Sequence, residues 1–459
     1  TQYRVMPKKI ADFPHLEIAA IFLAYCASNF LRKGGKIAFV LPRAFMSAGH
    51  HEQTRNGQAQ GFQLSEIWDL ADVTPLFRVP SCVLMGYVSE KSSNKISTTG
   101  IQGYTVTGRL KKHNVPLSEA ASLLQFEPTK WFFTELGKRS AFSAQKTQIS
   151  KKENAYKLDF KQGATIVPRN FYFVEITHPF QGAIHDRILT VKTAADVLPD
   201  AKAPWKSILM PSMPICTNFL FYTALAKHIL PFGMLPPPKV LLPLRKTSEV
   251  NHLQLLTHQA LLQLGEIETS IWFKQVENHW NTHKTENNAT MDAVSYLNWQ
   301  QKLTDQNLNK RYLVLYTASA KDANAVTIDR QDYDLDFIVE SKTYVFFTHN
   351  LQEAHYLTCF LNAKTPNERI KDFQSTGLFG ARDVHKTILE IPFPKYDPKN
   401  ELHQQLSALG EVCHAMMRNF MQEKIDLTNY NVGRVRMQVA IYLETPLKAI
   451  DAIVQQLIV

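Results

Sequence analysis

Apolar positions change their period at definable points along the chain. Between His15 and Lys33 they recur at helical spacing (Leu16, Ala19, Ala20, Leu23, Ala27, Phe30, Leu31), which predicts an amphipathic helix laid on a core. Gly34-Gly35 stops it, because glycine enters the left-handed backbone of a helix end without steric cost. Lys36-Ile37-Ala38-Phe39-Val40-Leu41 then runs almost continuously apolar into Pro42, the pattern of a buried parallel strand. Helix, Gly-Gly and strand together make one αβ step of a doubly wound sheet. A polar segment over 44–61 predicts helix. Glu66–Leu70 and Ser81–Val88 predict two strands joined by a loop holding Pro75 and Pro80, read as an antiparallel hairpin at the sheet edge.

Beyond a polar, small-residue stretch at 89–100, the alternation of Ile101, Tyr104, Val106 and Leu110 predicts a strand opening a new unit. Residues 115–155 read as mixed and helical. From 163 to 350 short β-like runs recur (164–167, 171–174, 311–316, 336–339, 344–347), with proline-rich spacers at 199–215 and 231–244 and a helix over 251–278. Helices are predicted again at 351–371, 400–425 and 436–459. No internal repeat is visible.

Composition narrows the class. The chain has 459 residues, of which 45% are hydrophobic and 20% charged, enough to bury several cores and too apolar for a disordered chain. The longest apolar runs fall short of the ~20 residues of a membrane helix, so no membrane is expected as a partner. Five cysteines, odd in number and without a CxxC, argue against a disulfide framework or a zinc ribbon and suit a reducing, cytoplasmic setting. Charge is uneven: residues 1–200 carry 25 basic and 16 acidic side chains, net +9, and residues 201–459 carry 26 and 25, net +1. A basic half favours a polyanion, most often nucleic acid. Lys111, Lys112, Lys138, Arg139, Lys151 and Lys152 are candidates for phosphate contact, although such runs are commonly just a solvated face.

Phosphate-cradling glycine loops, HExxH and GxSxG are all missing. His50-His51-Glu52 is a poor metal set, because adjacent histidines on a helix point to different sides.

Two blocks carry a resemblance. Lys33-Gly34-Gly35-Lys36-Ile37-Ala38-Phe39-Val40-Leu41-Pro42-Arg43, followed by Thr74-Pro75-Leu76-Phe77-Arg78-Val79-Pro80-Ser81-Cys82-Val83-Leu84-Met85-Gly86, resembles the C-terminal part of a gamma-class adenine-N6 DNA methyltransferase domain, as in type IIG-like restriction-modification enzymes. The resemblance implies that the first block is the fifth strand of the catalytic sheet and the second the loop and hairpin beside the active site. It places Phe77 where the family stacks an aromatic on the flipped adenine, a contact worth ~1–3 kcal/mol. It also implies that Arg43 lies near DNA. Gly163–Val174 with Arg169 and Asn170, Arg311–Ala318, and Glu353–Pro394 with the glycine loop Gly377-Leu378-Phe379-Gly380-Ala381-Arg382-Asp383-Val384-His385-Lys386 look like target-recognition regions, the last one similar to those of type I specificity subunits. Arg382, His385 and Lys386 offer donors for phosphate or guanine, and Asn170 could read adenine. A strand-entry turn at 168–170 and a structural Arg382–Asp383 ion pair remain the competing readings.

The resemblance implies a fold class of α/β, a partial Rossmann-like methyltransferase sheet, followed by an α+β target-recognition domain and C-terminal helices. The expected division is residues 1–90 as the end of the catalytic domain, 91–155 as a connecting segment, 156–400 as target recognition and 401–459 as helices. The implied partner is double-stranded DNA and the implied cofactor S-adenosylmethionine. The family's cofactor-seating glycine loop and its Asn/Asp-Pro-Pro-aromatic tetrapeptide are absent. Pro236-Pro237-Pro238 lacks the polar residue before it and the aromatic after it. With Thr1 in place of an initiator Met, the expectation is a truncated chain that neither binds the cofactor well nor methylates alone, its N-terminal methyltransferase half being missing. The alternatives are a non-catalytic DNA-specificity module that works with a separate catalytic subunit, and an unrelated α/β enzyme in which the Gly-Gly strand is coincidental.

Overall fold

The first predicted αβ step forms, but with different strand neighbours. In the computed structural model, described for residues 18–55, 62–88, 100–145, 152–177, 187–196, 201, 203–247, 253–377, 380–423 and 431–458, α1 (Ile18–Asn29) buries Ala20, Leu23 and Ala27 of the expected stripe, together with Ala24. Phe30, expected on that stripe, lies past the helix end and is exposed. Gly34 takes φ +73 in the turn, and Gly34 and Gly35 extend the next ladder by exchanging backbone bonds with Val88 (3.0 and 2.9 Å).

β1 (Lys36–Pro42) is neither buried on both faces nor parallel. It alternates in exposure and pairs antiparallel with β3 (Ser81–Tyr87). Among the described residues it is an edge of a six-stranded mixed sheet of order β1-β3-β2-β4-β5-β6, with β2 (Gln63–Thr74), β4 (Ile101–Arg109), β5 (Leu124–Leu136) and β6 (Arg139–Ser143). The apolar run deceived because β1 is covered on one face only, where Phe39 meets Phe22 of α1 edge-on with ring centroids 5.7 Å apart. The β2–β3 hairpin is antiparallel as expected but lies inside the sheet, since β4 adds to β2 in parallel.

The chain forms two compact units. The first takes residues 1–154, 366–393 and 458–459, and the second 155–365 and 394–457. Residues 101–143, expected to start a new unit and then turn mixed and helical, instead supply β4, β5 and β6 to the same sheet as β1, with only a short helix at Leu117–Leu123. Threonines and aromatics through Phe126–Thr134 suit a pleated surface, and Gly137 at φ +59 makes the tight β5–β6 turn. The segment expected to be helical at 44–61 forms only short turns up to Arg55. Arg55 itself is buried and donates to the carbonyls of Phe45 (2.7 Å) and Ala48 (2.9 Å) and to Ser140 Oγ (2.9 Å). Burial lowers its pKa to about 10, so it stays charged and ties this segment to β6. The core of the unit joins Leu23, Leu41, Phe45, Ile67, Leu84 and Trp131.

The second unit is α+β. It holds β7 (Lys161–Gln162), β8 (Phe173–Ile176), β9 (Ile188–Thr193), β10 (Met213–Cys216), β11 (Leu220–Tyr222), β12 (Ile229–Leu230), β13 (Gly233–Met234), β14 (Lys239–Leu241), β15 (Leu244–Lys246), β16 (Leu253–Leu255), β17 (Tyr312–Thr317), β18 (Ala325–Asp329) and β19 (Thr343–Thr348). A five-stranded sheet runs β10-β9-β8-β14-β11 and a four-stranded one β18-β17-β19-β7, while β12–β13 and β15–β16 are separate hairpins. The runs at 164–167 and 336–339 make only isolated bridges, at Ala164–Glu340 and Tyr222–Phe337. Helix α2 (Ile267–His283) buries Trp272, Phe273, Val276 and Trp280 in the core of the larger sheet. The predicted C-terminal helices are α3 (Leu351–Asn362), α4 (Glu401–Glu423), α5 (Val432–Tyr442) and α6 (Glu444–Leu457).

Two histidines meet where α3 packs on α4. The rings of His355 and His414 are 4.7 Å apart. His414 Nδ1 faces the Gly410 carbonyl (2.7 Å) and its Nε2 accepts from the Thr327 backbone (3.0 Å), which requires the neutral ring. Burial lowers His355 to about 4, with Arg418 adding to the effect, and lowers His414 to about 3. Both lie below the ~6.5 of an unfolded histidine, so the unfolded chain binds protons that the native chain refuses. Stability is therefore full above pH ~6.5 and falls as the pH drops toward about 4. Urea unfolding at pH 5 should show a loss of about 2 kcal/mol per histidine relative to pH 7. His414→Gln should remove about half of that dependence, leaving the part due to His355, and a wild-type midpoint unchanged between the two pH values would contradict the account.

Candidate nucleic-acid interface

The loop between β2 and β3 is pinned on one side and open on the other. Leu76 packs against Val73, Val106 and Leu110, and its carbonyl lies 3.1 Å from His113 Nδ1. Leu110 N–H donates to the Thr74 carbonyl (2.8 Å), continuing the parallel β2–β4 register that sets Thr74 beside Arg109. Ser81 Oγ donates to the Val79 carbonyl (3.0 Å), and the Arg43 backbone N–H to that of Pro80 (2.8 Å). Between these anchors Phe77 is 52% exposed and Val79 51%. Phe77 and Val79 thus form a small apolar tip on a loop fixed from both sides.

Arg43 sits where β1 runs into this loop. Its Nε donates to both oxygens of Asp69, at 2.8 and 3.0 Å. The Asp69 side chain is 7% exposed and also accepts from Ala71 N–H (3.0 Å), where the β2–β4 register slips between Asp69 and Asp72. The bulge frees that backbone donor and the carboxylate takes it. Burial, helped by Asp69, pushes the neighbouring Cys82 thiol up to about 12, so it behaves as a small hydrophobe. Arg43, expected at DNA, is thus committed to holding the base of the Phe77 loop.

Basic side chains gather at the same end of the sheet. Arg78 and Arg109 are exposed, as are Lys111 and Lys112, although Lys111 is tied to Glu119 at 2.8 Å. Lys138 and Arg139 are also exposed, but at the β5–β6 turn, which the antiparallel β4–β5 register places at the opposite end of the sheet. Lys151 lies outside the described residues. The sequence reading missed Asp69, Arg78 and Arg109. Asp69 left a signal, an acid sharing the inward phase of Ile67 in an apolar strand.

The remaining expected site residues part company. Asn170 is fully buried, and its Nδ2 donates to the carbonyls of Trp205 (2.8 Å) and Ile208. It closes a turn and is enclosed away from any base edge, which corrects the expectation that it reads adenine. Arg169 is turned inward, 3.7 Å from the buried Glu340 carboxylate and with its guanidinium over the Phe173 ring at 5.8 Å. Burial raises the Glu340 pKa, a cost that Arg169 offsets. The strand-entry turn is the reading the coordinates favour at this position.

The glycine-loop segment, expected within the 156–400 target-recognition range, belongs to the first unit. Ser375–Gly377 and Gly380–Arg382 form a small antiparallel hairpin. The side chain of Arg382 lies outside the described residues. His385 is half-buried, Lys386 exposed, and Asp383 and His385 both take positive φ (67 and 43) on either side of the buried Val384. Among the described residues no group of three or more His, Cys, Asp and Glu side chains could hold a metal ion, and no helix is long and apolar enough to cross a membrane.

No protein-family model matches this sequence, and no curated protein does. Solved structures do. The type IIL restriction-modification enzyme MmeI, solved in complex with DNA, matches 98% of this chain with a TM-score of 0.54 at 10% identity. Weaker matches are the type IIG restriction endonuclease BpuSI (TM-score 0.27, 11% identity, 97% of this chain) and DrdV in a complex with DNA (0.37, 9%, 90%). The chain spans 51% of MmeI, 49% of BpuSI and 40% of DrdV. At this identity the MmeI match establishes a fold shared with about half of that protein's length.

Removing the Asp69 carboxylate should release the loop. Asp69→Ala removes the two hydrogen bonds from Arg43 Nε and should cost about 1–3 kcal/mol in chemical denaturation. It should also speed amide hydrogen exchange over 75–80. Exchange there equal to wild type would contradict the clamp.

Proposed function

We propose that this chain is the DNA-reading, C-terminal portion of a site-specific adenine-N6 DNA methyltransferase of the restriction-modification type. It would act with an S-adenosylmethionine-binding half carried either in the same polypeptide or on a separate catalytic subunit. The observation that carries the reading is Phe77, an exposed ring on a loop fixed from both ends, at the position where the resemblance expects the base-stacking aromatic. The shared fold with MmeI over nearly the whole chain and the exposed cations at the same sheet end support it.

On this reading the cations at the loop grip phosphates and an adenine swings out of the duplex. The Phe77 face then replaces the stacking the base has lost. Methyl transfer from S-adenosylmethionine needs the adenine amine positioned and polarised, rather than a strong side-chain base. The sequence holds neither element through which the resemblance would seat that cofactor, so its binding falls to the other half. Asn170 has no part in this scheme, and Arg43 acts by shaping the loop.

Expressed in cells without endogenous adenine methylation, the intact methyltransferase containing this chain should mark one DNA motif with N6-methyladenine, readable by single-molecule sequencing. Phe77→Ala should lower the rate about 5- to 150-fold, as expected from ~1–3 kcal/mol of lost stacking, and Phe77→Trp should keep it. A wild type that leaves adenines unmodified, or a Phe77→Ala enzyme as fast as wild type, would overturn the reading.

A further inference from the structure

The second unit contains a cleft of ≈370 Å³ to which no role has been given. Its floor is apolar, with Phe219, Phe221, Leu244 and Leu308, and its wall carries Arg245, Lys246, Asn218, Glu266 and Asp336. Leu244, Arg245 and Lys246 come from the β15–β16 hairpin, whose register sets Arg245 directly opposite Gln254. Both side chains are exposed, and Arg245 Nη2 donates to Gln254 Oε1 at 2.9 Å. The amide oxygen thereby fixes the direction of the guanidinium fork.

The charge of this cleft is mixed in a telling way. Lys246 is paired with Asp336 at 2.6 Å, and Arg187 lies 3.7 Å from Glu266. A groove that tracks phosphate carries cations alone, because a carboxylate facing the backbone repels it. Here carboxylate, amide and guanidinium lie together over an apolar floor. That is the donor and acceptor mixture a base edge presents, since arginine matches guanine O6 and N7, and carboxylates accept from the cytosine amine. An arginine held by a neighbouring amide also loses little conformational freedom on forming a bidentate contact.

We propose that this cleft reads base edges in duplex DNA, with Arg245 as a guanine-directed donor and Gln254 as the residue that positions it. The inference rests on the DNA-binding reading above and adds to it the residues that set sequence choice. Phosphate contacts carry most of the affinity and its salt dependence, while a base contact carries discrimination at one position. The two can therefore be separated in one experiment.

The 459-residue chain, Arg245→Ala, Arg245→Lys and Gln254→Ala are each equilibrated with a randomised duplex pool, and the bound fraction is sequenced. The salt dependence of affinity for the unselected pool is measured in parallel. Arg245→Ala should relax a guanine preference at one position by about ten-fold or more, as expected for a lost bidentate contact, with the other positions and the salt slope unchanged. Arg245→Lys should recover it in part at most, and Gln254→Ala should weaken it at that same position. Arg245 is exposed, so thermal melts should match wild type and exclude misfolding as the cause. A wild-type chain that binds DNA with a steep salt slope, while Arg245→Ala selects the same sequences, overturns the inference and leaves the DNA-binding reading standing. A wild-type chain that binds no duplex DNA at low salt overturns both.

Discussion

A half-buried ion pair between Arg43 and Asp69 decides where the loop after β2 can go. Arg43 stands at the exit of β1 and Asp69 at a bulge in β2, two strands separated in the sheet by β3. Joining them across β3 fixes the end of the sheet on which the loop is built, and the Arg43 backbone N–H then holds the loop's far side at Pro80. Leu76 fixes the near side in a small cluster of its own. What is left to project is Phe77. Exposure of this ring follows from the anchors around it rather than from a lack of core to enter. An aromatic face presented in this way can accept a stacked base with little reorganisation.

The same logic separates residues that shape the interface from residues that meet a partner. Cationic side chains with a carboxylate close by, such as Arg43 and Arg169, hold backbone in place. Exposed ones at strand ends, such as Arg78, Arg109 and Lys112, remain available to an anionic surface. In the second unit the division is different. There the paired charges line a cleft with an apolar floor, and their mixed sign suits recognition of bases better than attraction of phosphate. On the proposed reading, affinity and choice of sequence are carried by different side chains.

Much of the fold was legible where one physical signal dominated. The α1 stripe, the β2–β3 hairpin, the strands β17 and β19, and the helices α3 and α4 were readable from apolar period alone. The failures have identifiable causes. β1 reads as buried because its apolar run is continuous, yet sequence cannot say that only one face is covered. Residues 124–136 read as mixed because Glu127, Pro128 and Lys130 break the apolar pattern, while the long antiparallel pairing with β4 that makes them a strand is non-local. The candidate site divides along the same line. Phe77 was singled out through motif order and lies exposed on its loop, whereas Asn170 is enclosed, which was not legible, since a polar residue after proline looks the same whether it caps a buried turn or faces solvent. Gln254 was invisible, because its pairing with Arg245 depends on the register of a hairpin.

The central claim is that the β2–β3 loop touches DNA through its ring. Photo-crosslinking of the chain to duplex DNA carrying 5-iodouracil, followed by mass spectrometry of the linked peptides, tests it most directly. The account predicts that residues 75–80 carry a principal adduct and that Phe77 is the modified side chain. Adducts confined to other surfaces, with 75–80 unmodified under conditions in which the DNA is fully bound, would contradict it.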